Sequence, residues 1–221
     1  MEDEGMGTSG AFAELAHAAG AERAAAGVES ELRRRHAEPH RVYHTLDHVV
    51  HVLATIDDLT SAGEPVDDLV TLRLAAWFHD AVYDPRRTDN EARSATLAQE
   101  RLTMLGVGVG RRQRVTALVL ATADHAPVSA DQRLFVDADL AVLAAPARDY
   151  RRYVEAVRRE YAWLDEQRWR AGRAAFLRRM LQRPAIFSSA TMRATAERAA
   201  RDNVTAELGA LGRTAGDGGL T

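Results

Sequence analysis

The spacing of apolar residues is helical along almost the whole chain, and no other feature of the sequence constrains the fold so strongly. Valine and isoleucine do not alternate with polar residues over any useful length, so the pattern of a half-buried β-strand is almost absent. Leu46, Val49, Leu53 and Ile56 instead recur every three or four residues, which places them on one side of a helix. With proline, glycine and polar clusters taken as breaks, the pattern predicts helices over residues 11–26, 29–36, 45–60, 67–81, 90–105, 111–122, 131–143, 147–163, 166–181 and 189–208.

These helices predict an all-α, single-domain fold in which side chains from several helices project inward. A chain of 221 residues is long enough for one domain with a sizeable core. We expect this helical domain to span residues 11–210. Residues 1–10 are expected to be a disordered N-terminus, and residues 211–221, which are rich in glycine and threonine, a flexible C-terminal tail.

Composition excludes several classes of function. The formal net charge of −3 gives no basic field that would attract nucleic acid or an anionic membrane. The absence of cysteine excludes disulfides and thiolate catalysis, and the absence of lysine excludes Schiff-base chemistry. The sequence has no signal-peptide pattern and no apolar run near the ~20 residues that span a bilayer. We therefore expect a cytoplasmic protein with neither a nucleic-acid nor a membrane partner.

The most informative polar residues are His79 and Asp80, which directly follow an apolar run over residues 74–78. An imidazole and a carboxylate at the end of a buried helix are costly to desolvate, and a bound cation is the usual way to offset that cost. His48 lies upstream, and Asp137 and Asp139 lie downstream. The order His … His-Asp … Asp supplies nitrogen and oxygen ligands suited to a divalent ion. Because these residues are far apart in the chain, three helices must converge to form the site.

Five ordered motifs carry a resemblance to a known family. They are EPHRVYH at residues 38–44, AAWFHDAVYD at 75–84, NEARSA at 90–95, DADL at 137–140 and RREY at 158–161. Together they resemble the HD superfamily, which consists mostly of metal-dependent phosphohydrolases, and within it a subfamily of predicted HD phosphohydrolases. The resemblance extends from about Ser30 to Leu208. It implies an HD-type helical bundle with a metal site between central helices.

The resemblance also implies a ligand set and a reaction. His48, His79, Asp80 and Asp139 correspond to metal ligands, for an ion that is Mn²⁺, Fe²⁺, Co²⁺, Ni²⁺, Zn²⁺ or Mg²⁺. Asp139 is preferred to Asp137 because Leu140 follows it, as in the distal motif of related phosphodiesterases, and Asp137 would then orient a ligand histidine. The expected enzyme is a hydrolase that cleaves a small phosphomonoester or phosphodiester, such as a nucleotide, with metal-bound hydroxide as the nucleophile.

The pattern Tyr-His-x-x-x-His at residues 43–48 resembles the opening motif of the mammalian cyclic-nucleotide phosphodiesterases. That likeness implies that His44 is the general acid that protonates the leaving oxygen. If both histidines are helical, His44 and His48 share one face of the helix. The alternative is that His44 only caps or packs locally.

Seven further residues are candidates for roles around the metal, and for most of them a structural alternative stays open. Glu91 is a candidate base, or else a carboxylate that interacts with a helix N-terminus, and Asn90 is a candidate cap of that helix. His125 is placed near the metal or the substrate phosphate, or else in a surface loop. Arginine binds phosphate bidentately but more often forms salt bridges. The candidates for substrate binding or for support of the ligands are Arg41, Asp84, Asn90, His125, Asp137 and Arg158.

Two other functions and one question of assembly stay open at this point. A non-catalytic nucleotide sensor would keep the metal for folding and bind its ligand without turnover. An HD-type di-iron oxygenase would need two further histidines between the His-Asp pair and the distal aspartate, where only His125 lies. An apolar stripe on a C-terminal helix is either core or the interface of a homo-oligomer.

Overall fold

The computed structural model describes residues 11–213, and the regular structure in this range is entirely helical. The predicted all-α fold class is therefore confirmed. None of the described helices is both long and apolar enough to cross a membrane. The helices are α1 Ala11–Ala18, α2 Ala26–His36, α3 Leu46–Ser61, α4 Leu69–Phe78, α5 Asn90–Met104, α6 Val109–Ala121, α7 Ala130–Leu140, α8 Ala147–Glu160, α9 Glu166–Gln182, α10 Ala190–Thr195 and α11 Glu197–Arg213, with a 3₁₀ turn at Ala141–Ala144.

The chain divides into two compact units, the first ending at Asp139 and the second beginning at Leu140. The single domain expected over residues 11–210 stays a prediction, because compact units of this size occur within one domain as well as in separate ones. The last helix reaches Arg213, slightly beyond the expected end of the helical region. The tails predicted at residues 1–10 and 214–221 lie outside the described residues.

Two predicted helices are each divided by a local break. The segment predicted as one helix over 11–26 ends at Ala18, where Gly20 takes a left-handed φ of 85° and the amide of Ala21 donates to the carbonyl of Ala16. A left-handed glycine with this bonding pattern is a standard helix stop. The segment predicted over 189–208 is interrupted at Ala196, next to Glu197, whose carboxylate accepts hydrogen bonds from the amides of Ile186 and Phe187.

Helix α4 forms the centre of the first unit. Seven of its ten residues are buried, and a helix that is apolar on all sides must be surrounded by others. Helices α1, α3, α5 and α6 pack against it. Its N-terminus is capped by Asp68, which accepts from the amide of Thr71 at 3.1 Å. Near its C-terminus, Phe12 packs edge-on against Trp77 and Phe78 with ring centroids 5.7 Å apart. This packing fixes the position of the turn that follows Phe78.

Candidate metal centre

Three elements of the first unit bring four of the predicted ligands together. His48 lies in the first turn of α3, His79 and Asp80 form the turn after α4, and Asp139 lies near the end of α7. The Nε2 atoms of His48 and His79 are 3.1 Å apart. Asp80 Oδ2 is 3.1 Å from His79 Nε2 and 3.6 Å from His48 Nε2, and Asp139 Oδ1 is 3.2 Å from His48 Nε2 and 3.6 Å from His79 Nε2. We call these four residues the His–Asp cluster.

Each ligand is held by apolar packing in its own element. His48 is followed on α3 by the buried residues Val49, Val52 and Ile56, so its ring faces the interior. The run over residues 134–138 of α7 is buried just before Asp139. Phe135 packs edge-on against His79, with ring centroids 5.9 Å apart. The apolar periodicity of the sequence therefore sets the position of the polar cluster.

His79 is oriented by the backbone of its own helix. Its Nδ1 donates a hydrogen bond to the carbonyl of Ala76 at 2.9 Å. This bond places a proton on Nδ1 and points Nε2 toward Asp80 and Asp139. A backbone carbonyl in this role is a common way of fixing the tautomer of a metal-binding histidine. Ala76 was not among the predicted site residues, because a carbonyl acceptor leaves no mark in the side-chain sequence.

The electrostatics of the cluster favour a positive charge at its centre. Burial would raise the pKa of Asp80, but the neighbouring His79, His44 and His48 hold it well below its ordinary value. Burial likewise opposes ionisation of Asp139, and hydrogen bonds from His125, His48 and His79 reverse that effect and lower its pKa. Both carboxylates are therefore ionised at neutral pH.

The two histidines of the cluster respond in opposite directions. Burial lowers the pKa of His48. Burial would lower the pKa of His79 as well, but Asp80 and Asp139 raise it well above its ordinary value. Without a cation, the two carboxylates thus retain one proton on the imidazole pair. A divalent ion would supply more positive charge than that proton does.

The spacing of the donor atoms fits a metal ion. Donors about 2.0–2.2 Å from a common ion lie about 2.8–3.6 Å apart in neighbouring octahedral or tetrahedral positions. The two histidine nitrogens lie 3.1 Å apart, and their separations from the carboxylate oxygens are 3.1 to 3.6 Å. Donor atoms of His48, His79 and Asp80 all lie within 4.8 Å of one another, so this His-His-Asp group could hold a metal ion. Imidazole nitrogen and carboxylate oxygen together suit Mn²⁺, Fe²⁺, Co²⁺, Ni²⁺ and Zn²⁺.

His44 approaches the cluster by a different route from the one expected. His44 and His48 would share a helix face only if both were helical, and that condition is not met, because α3 begins at Leu46 and His44 lies in the bend before it. The bend nevertheless places the ring of His44 edge-on to that of His48, with centroids 5.9 Å apart. The other side of His44 stacks on Tyr83 at 4.2 Å. A half-buried imidazole thus stands beside the cluster.

His125 belongs to the cluster's surroundings and does not lie in an exposed loop. Its Nε2 is 3.6 Å from Asp139 Oδ2, and its side chain is 15% exposed. Its backbone has a φ of 54°, in the left-handed region that costs an L-residue roughly 1–2 kcal/mol. His125 adopts this conformation in the segment after α6, and its imidazole lies beside Asp139.

The two competing aspartates of α7 have different surroundings. Asp139 has 15% of its side chain exposed, and its carboxylate lies at the histidine nitrogens. Asp137 is completely buried. Side chains two residues apart on a helix point in nearly opposite directions. Only one of these two aspartates can therefore face the cluster, and that residue is Asp139.

Three candidates, Asp84, Asn90 and Glu91, lie in or next to the loop that follows Asp80. The amide of Asp84 donates to Asn90 Oδ1 at 3.1 Å, and Asn90 Nδ2 donates back to the carbonyl of Asp84 at 2.9 Å. Asn90 is therefore not the cap of α5, whose N-cap residue is Asp89, but the residue that closes the loop. No hydrogen bond or ion pair described for residues 11–213 joins the carboxylate of Glu91 to the cluster. Its role as a base stays a prediction.

The two candidate arginines, Arg41 and Arg158, donate hydrogen bonds to backbone carbonyls. Arg41 is wholly buried at its side chain and donates to three carbonyls, which favours its supporting role. A contact between Arg41 and a substrate phosphate stays a prediction. Arg158, in the second unit, donates to the carbonyl of Tyr161 at 2.9 Å and pairs with Glu166 at 3.3 Å. This is the salt-bridge alternative considered for Arg158, and it closes the turn between α8 and α9.

Comparison of the chain with protein-family models, with curated proteins and with solved structures gives no match. The interpretation of the cluster therefore depends on its donor atoms, their spacing and their charge.

Proposed function

We propose that the chain is a metal-dependent phosphohydrolase of the HD type, with a divalent ion held by His48, His79, Asp80 and Asp139. The observation that carries this proposal is that the Nε2 atoms of His48 and His79 lie 3.1 Å apart and that Asp80 and Asp139 each place a carboxylate oxygen within 3.6 Å of both nitrogens. Two ionised carboxylates around two buried imidazoles are costly without a cation, since burial of unpaired charge is strongly unfavourable.

A divalent ion held by these four residues would supply Lewis-acid polarisation of a phosphoryl oxygen and a water molecule of lowered pKa as nucleophile at neutral pH. The residues of the chain would orient the ligands, set the charge around the ion and donate a proton. His79 is held by Ala76 with its Nε2 facing the centre, and Asp80 and Asp139 set the charge there. His44 stands to one side, near enough to His48 to deliver a proton to the leaving oxygen of a bound phosphoester.

The substrate proposed is a small phosphoester, either a monoester or a diester, of which nucleotides are the leading candidates. Asp80 and Asp139 keep about a sixth of their side-chain surface open to solvent, so a phosphoryl group has access to the centre. The aromatic rings of Tyr43 and His44 stand beside it, 5.0 Å apart at their centroids.

Metal-reconstituted protein tests the proposal. Apo protein is loaded with Mn²⁺, Co²⁺, Ni²⁺ or Mg²⁺ and assayed against aryl and alkyl phosphate monoesters and diesters and against nucleotides. Turnover by wild type and its loss in Asp80→Ala, together with loss of metal, is the expected result. A metal-loaded protein that hydrolyses none of these substrates would contradict the proposal and favour a non-catalytic sensor.

The acid role of His44 has its own test. His44→Gln should retain metal and lose about 10²- to 10⁴-fold in kcat on alkyl esters. The loss should be much smaller on 4-nitrophenyl esters, whose leaving group needs no protonation. His51→Gln is the matched control, since His51 is an exposed histidine on α3, the helix that follows His44. Equal losses on both classes of ester would contradict proton donation by His44.

A further inference from the structure

We propose that Arg41 is the positioning residue of the centre, holding the segment of His44 and the turn of Asp80 in one fixed arrangement. This inference rests on the proposed function, because it assigns a role in metal binding and proton donation to a residue that touches neither metal nor substrate. The sequence suggested a phosphate contact for Arg41, and the geometry points to a structural device instead.

One guanidinium joins the two segments directly. Its Nη1 donates to the carbonyl of His44 at 3.0 Å and to the carbonyl of Asp80 at 2.7 Å, and its Nη2 donates to the carbonyl of Ala81 at 3.3 Å. Its Nε donates to Glu38 at 3.1 Å. Four of the five N–H groups of the guanidinium are thus engaged. The carbonyls of the candidate acid and of a candidate ligand share one nitrogen.

The burial of Arg41 makes these bonds strong and hard to replace. None of its side chain is exposed, whereas its ion-pair partner Glu38 is 37% exposed. Buried carbonyls that lose a charged donor are left unsatisfied, which is strongly unfavourable. The charge also lies just beyond the C-terminus of α4, where a cation is favoured by the helix dipole.

Tyr83 extends the same device to the ring of His44. The guanidinium of Arg41 lies over Tyr83 at 5.4 Å from the ring centroid, and His44 stacks on the same ring at 4.2 Å. Arg41 therefore fixes both the backbone of His44 and the aromatic surface against which its imidazole rests. Only a planar fork reaches three carbonyls and a ring face at once, which a lysine ammonium does not.

Binding of Co²⁺ alone tests the inference without any substrate. Arg41→Met removes the donors at similar length, and Arg41→Lys keeps the charge but not the fork. We expect both variants to bind Co²⁺ about 10- to 100-fold more weakly than wild type and to show altered visible absorption bands. Wild-type affinity and unchanged bands in both variants would overturn the proposal while leaving the metal centre intact.

Two controls separate positioning from general destabilisation. Glu38→Gln removes the ion pair but leaves the carbonyl bonds, so its Co²⁺ affinity should stay within threefold of wild type. Arg33→Met removes another arginine of the same unit, one that lies over Trp77 at 5.5 Å and pairs with Glu29. It should lower the melting temperature without altering the Co²⁺ bands. A change of the bands in Arg33→Met equal to that in Arg41→Met would overturn the specific role.

A measurement on wild type removes the dependence on folded variants. The Nη protons of a guanidinium held by three carbonyls rotate slowly and give resolved signals in ¹H–¹⁵N spectra, and paramagnetic Co²⁺ should shift those signals. A single averaged Nη signal for Arg41 would overturn the proposal. If wild type binds no Co²⁺, the metal centre itself fails, and that outcome is distinct from a failure of Arg41 alone.

Discussion

Within residues 11–213, each unit contains a buried group of charged side chains, and these two groups are built in opposite ways. In the first unit, the His–Asp cluster brings acceptor atoms of two carboxylates and two imidazoles close together. In the second unit, Arg173 pairs with Glu207 at 2.8 and 3.0 Å and donates to the hydroxyl of Tyr153 at 3.1 Å, while Tyr150 donates to Glu207 at 2.6 Å. We call these four residues the arginine network.

The difference lies in how donors and acceptors balance. In the arginine network, one positive charge meets one negative charge, and both oxygens of Glu207 receive donors, so the network is complete without a ligand. The His–Asp cluster has two negative charges and no arginine or lysine among its members. Burial alone does not mark a functional site, since Arg173 and Glu207 are only 6% and 8% exposed. Buried acceptors that lack enough donors, in contrast, do indicate a functional site.

The largest effect is expected from breaking the complete network. Arg173→Met leaves Glu207 buried without its cation and should lower the free energy of unfolding by about 3–5 kcal/mol, measured by urea denaturation. The double variant Arg173→Met/Glu207→Leu removes both charges and should be more stable than the single one. Neither change should alter the Co²⁺ affinity of the folded protein. A double variant less stable than Arg173→Met would contradict the account of this network.

The two units should also differ in their response to pH. His36, in the first unit, is 1% exposed, and burial together with Arg41 lowers its pKa from 6.5 to about 4. Because the unfolded chain binds this proton at higher pH than the folded one, His36 favours folding fully above about pH 6.5, and that stability is lost as the pH falls toward 4. The lowering from 6.5 to about 4 corresponds to about 3 kcal/mol.

The matching variant is His36→Leu, which should flatten the stability profile between pH 6.5 and 4 in denaturation experiments with chelator present. Tyr150 and Arg173 of the arginine network give no such change in this window. Burial raises the pKa of Tyr150, and Tyr153 and Glu207 outweigh burial to raise that of Arg173, so both stay in one protonation state. An unchanged profile in His36→Leu would contradict the role of this histidine.

Metal should stabilise the first unit through the cluster alone. Co²⁺ at one hundred times its dissociation constant should raise the free energy of unfolding by about 2.7 kcal/mol. Asp139→Asn should weaken binding about 100-fold, so that the gain at the same Co²⁺ concentration falls to about 0.4 kcal/mol. Asp137→Asn, the same change two residues earlier on α7, should keep the full gain. The reverse pattern, measured by thermal unfolding, would identify Asp137 as the ligand.

The smallest effects are expected at the helix caps, where the two units can be compared directly. Asp165 caps α9 by accepting from the amide of Arg168 at 2.8 Å, and its side chain is 57% exposed. Asp165→Ala should cost about 1 kcal/mol. Asp68 is 14% exposed and also pairs with Arg111 and Arg114, which with its cap bonds lower its pKa to about 2 despite burial. Asp68→Ala should therefore cost about 2 kcal/mol, and equal costs at both caps would contradict this ranking.

The sequence predicts the helices of the fold well, because apolar periodicity is set by burial. It predicts their ends less well where the backbone decides the outcome. The helix expected to reach residue 81 ends at Phe78, so His79 and Asp80 form a turn. The break at Gly20 depends on a left-handed φ that a glycine permits but does not require.

The candidate ligands follow from side-chain identity, and the supports of the site do not. The carbonyl of Ala76 orients His79, and the carbonyls of Asp80 and Ala81 accept hydrogen bonds from Arg41. The identity of a residue does not indicate that its backbone carbonyl has such a role. The sequence favours phosphate binding at Arg41 because a guanidinium suits both phosphate and carbonyl oxygens. Burial distinguishes the two roles, and burial of a single side chain in a loop is decided by tertiary packing.

The central claim is that the His–Asp cluster is a metal centre, and anomalous X-ray diffraction from crystals of the Mn²⁺-loaded protein tests it most directly. The account predicts an anomalous peak about 2.0–2.3 Å from His48 Nε2, His79 Nε2 and the Asp80 carboxylate, with Asp139 completing the set. A peak elsewhere, or none at this position in saturating Mn²⁺, would contradict it.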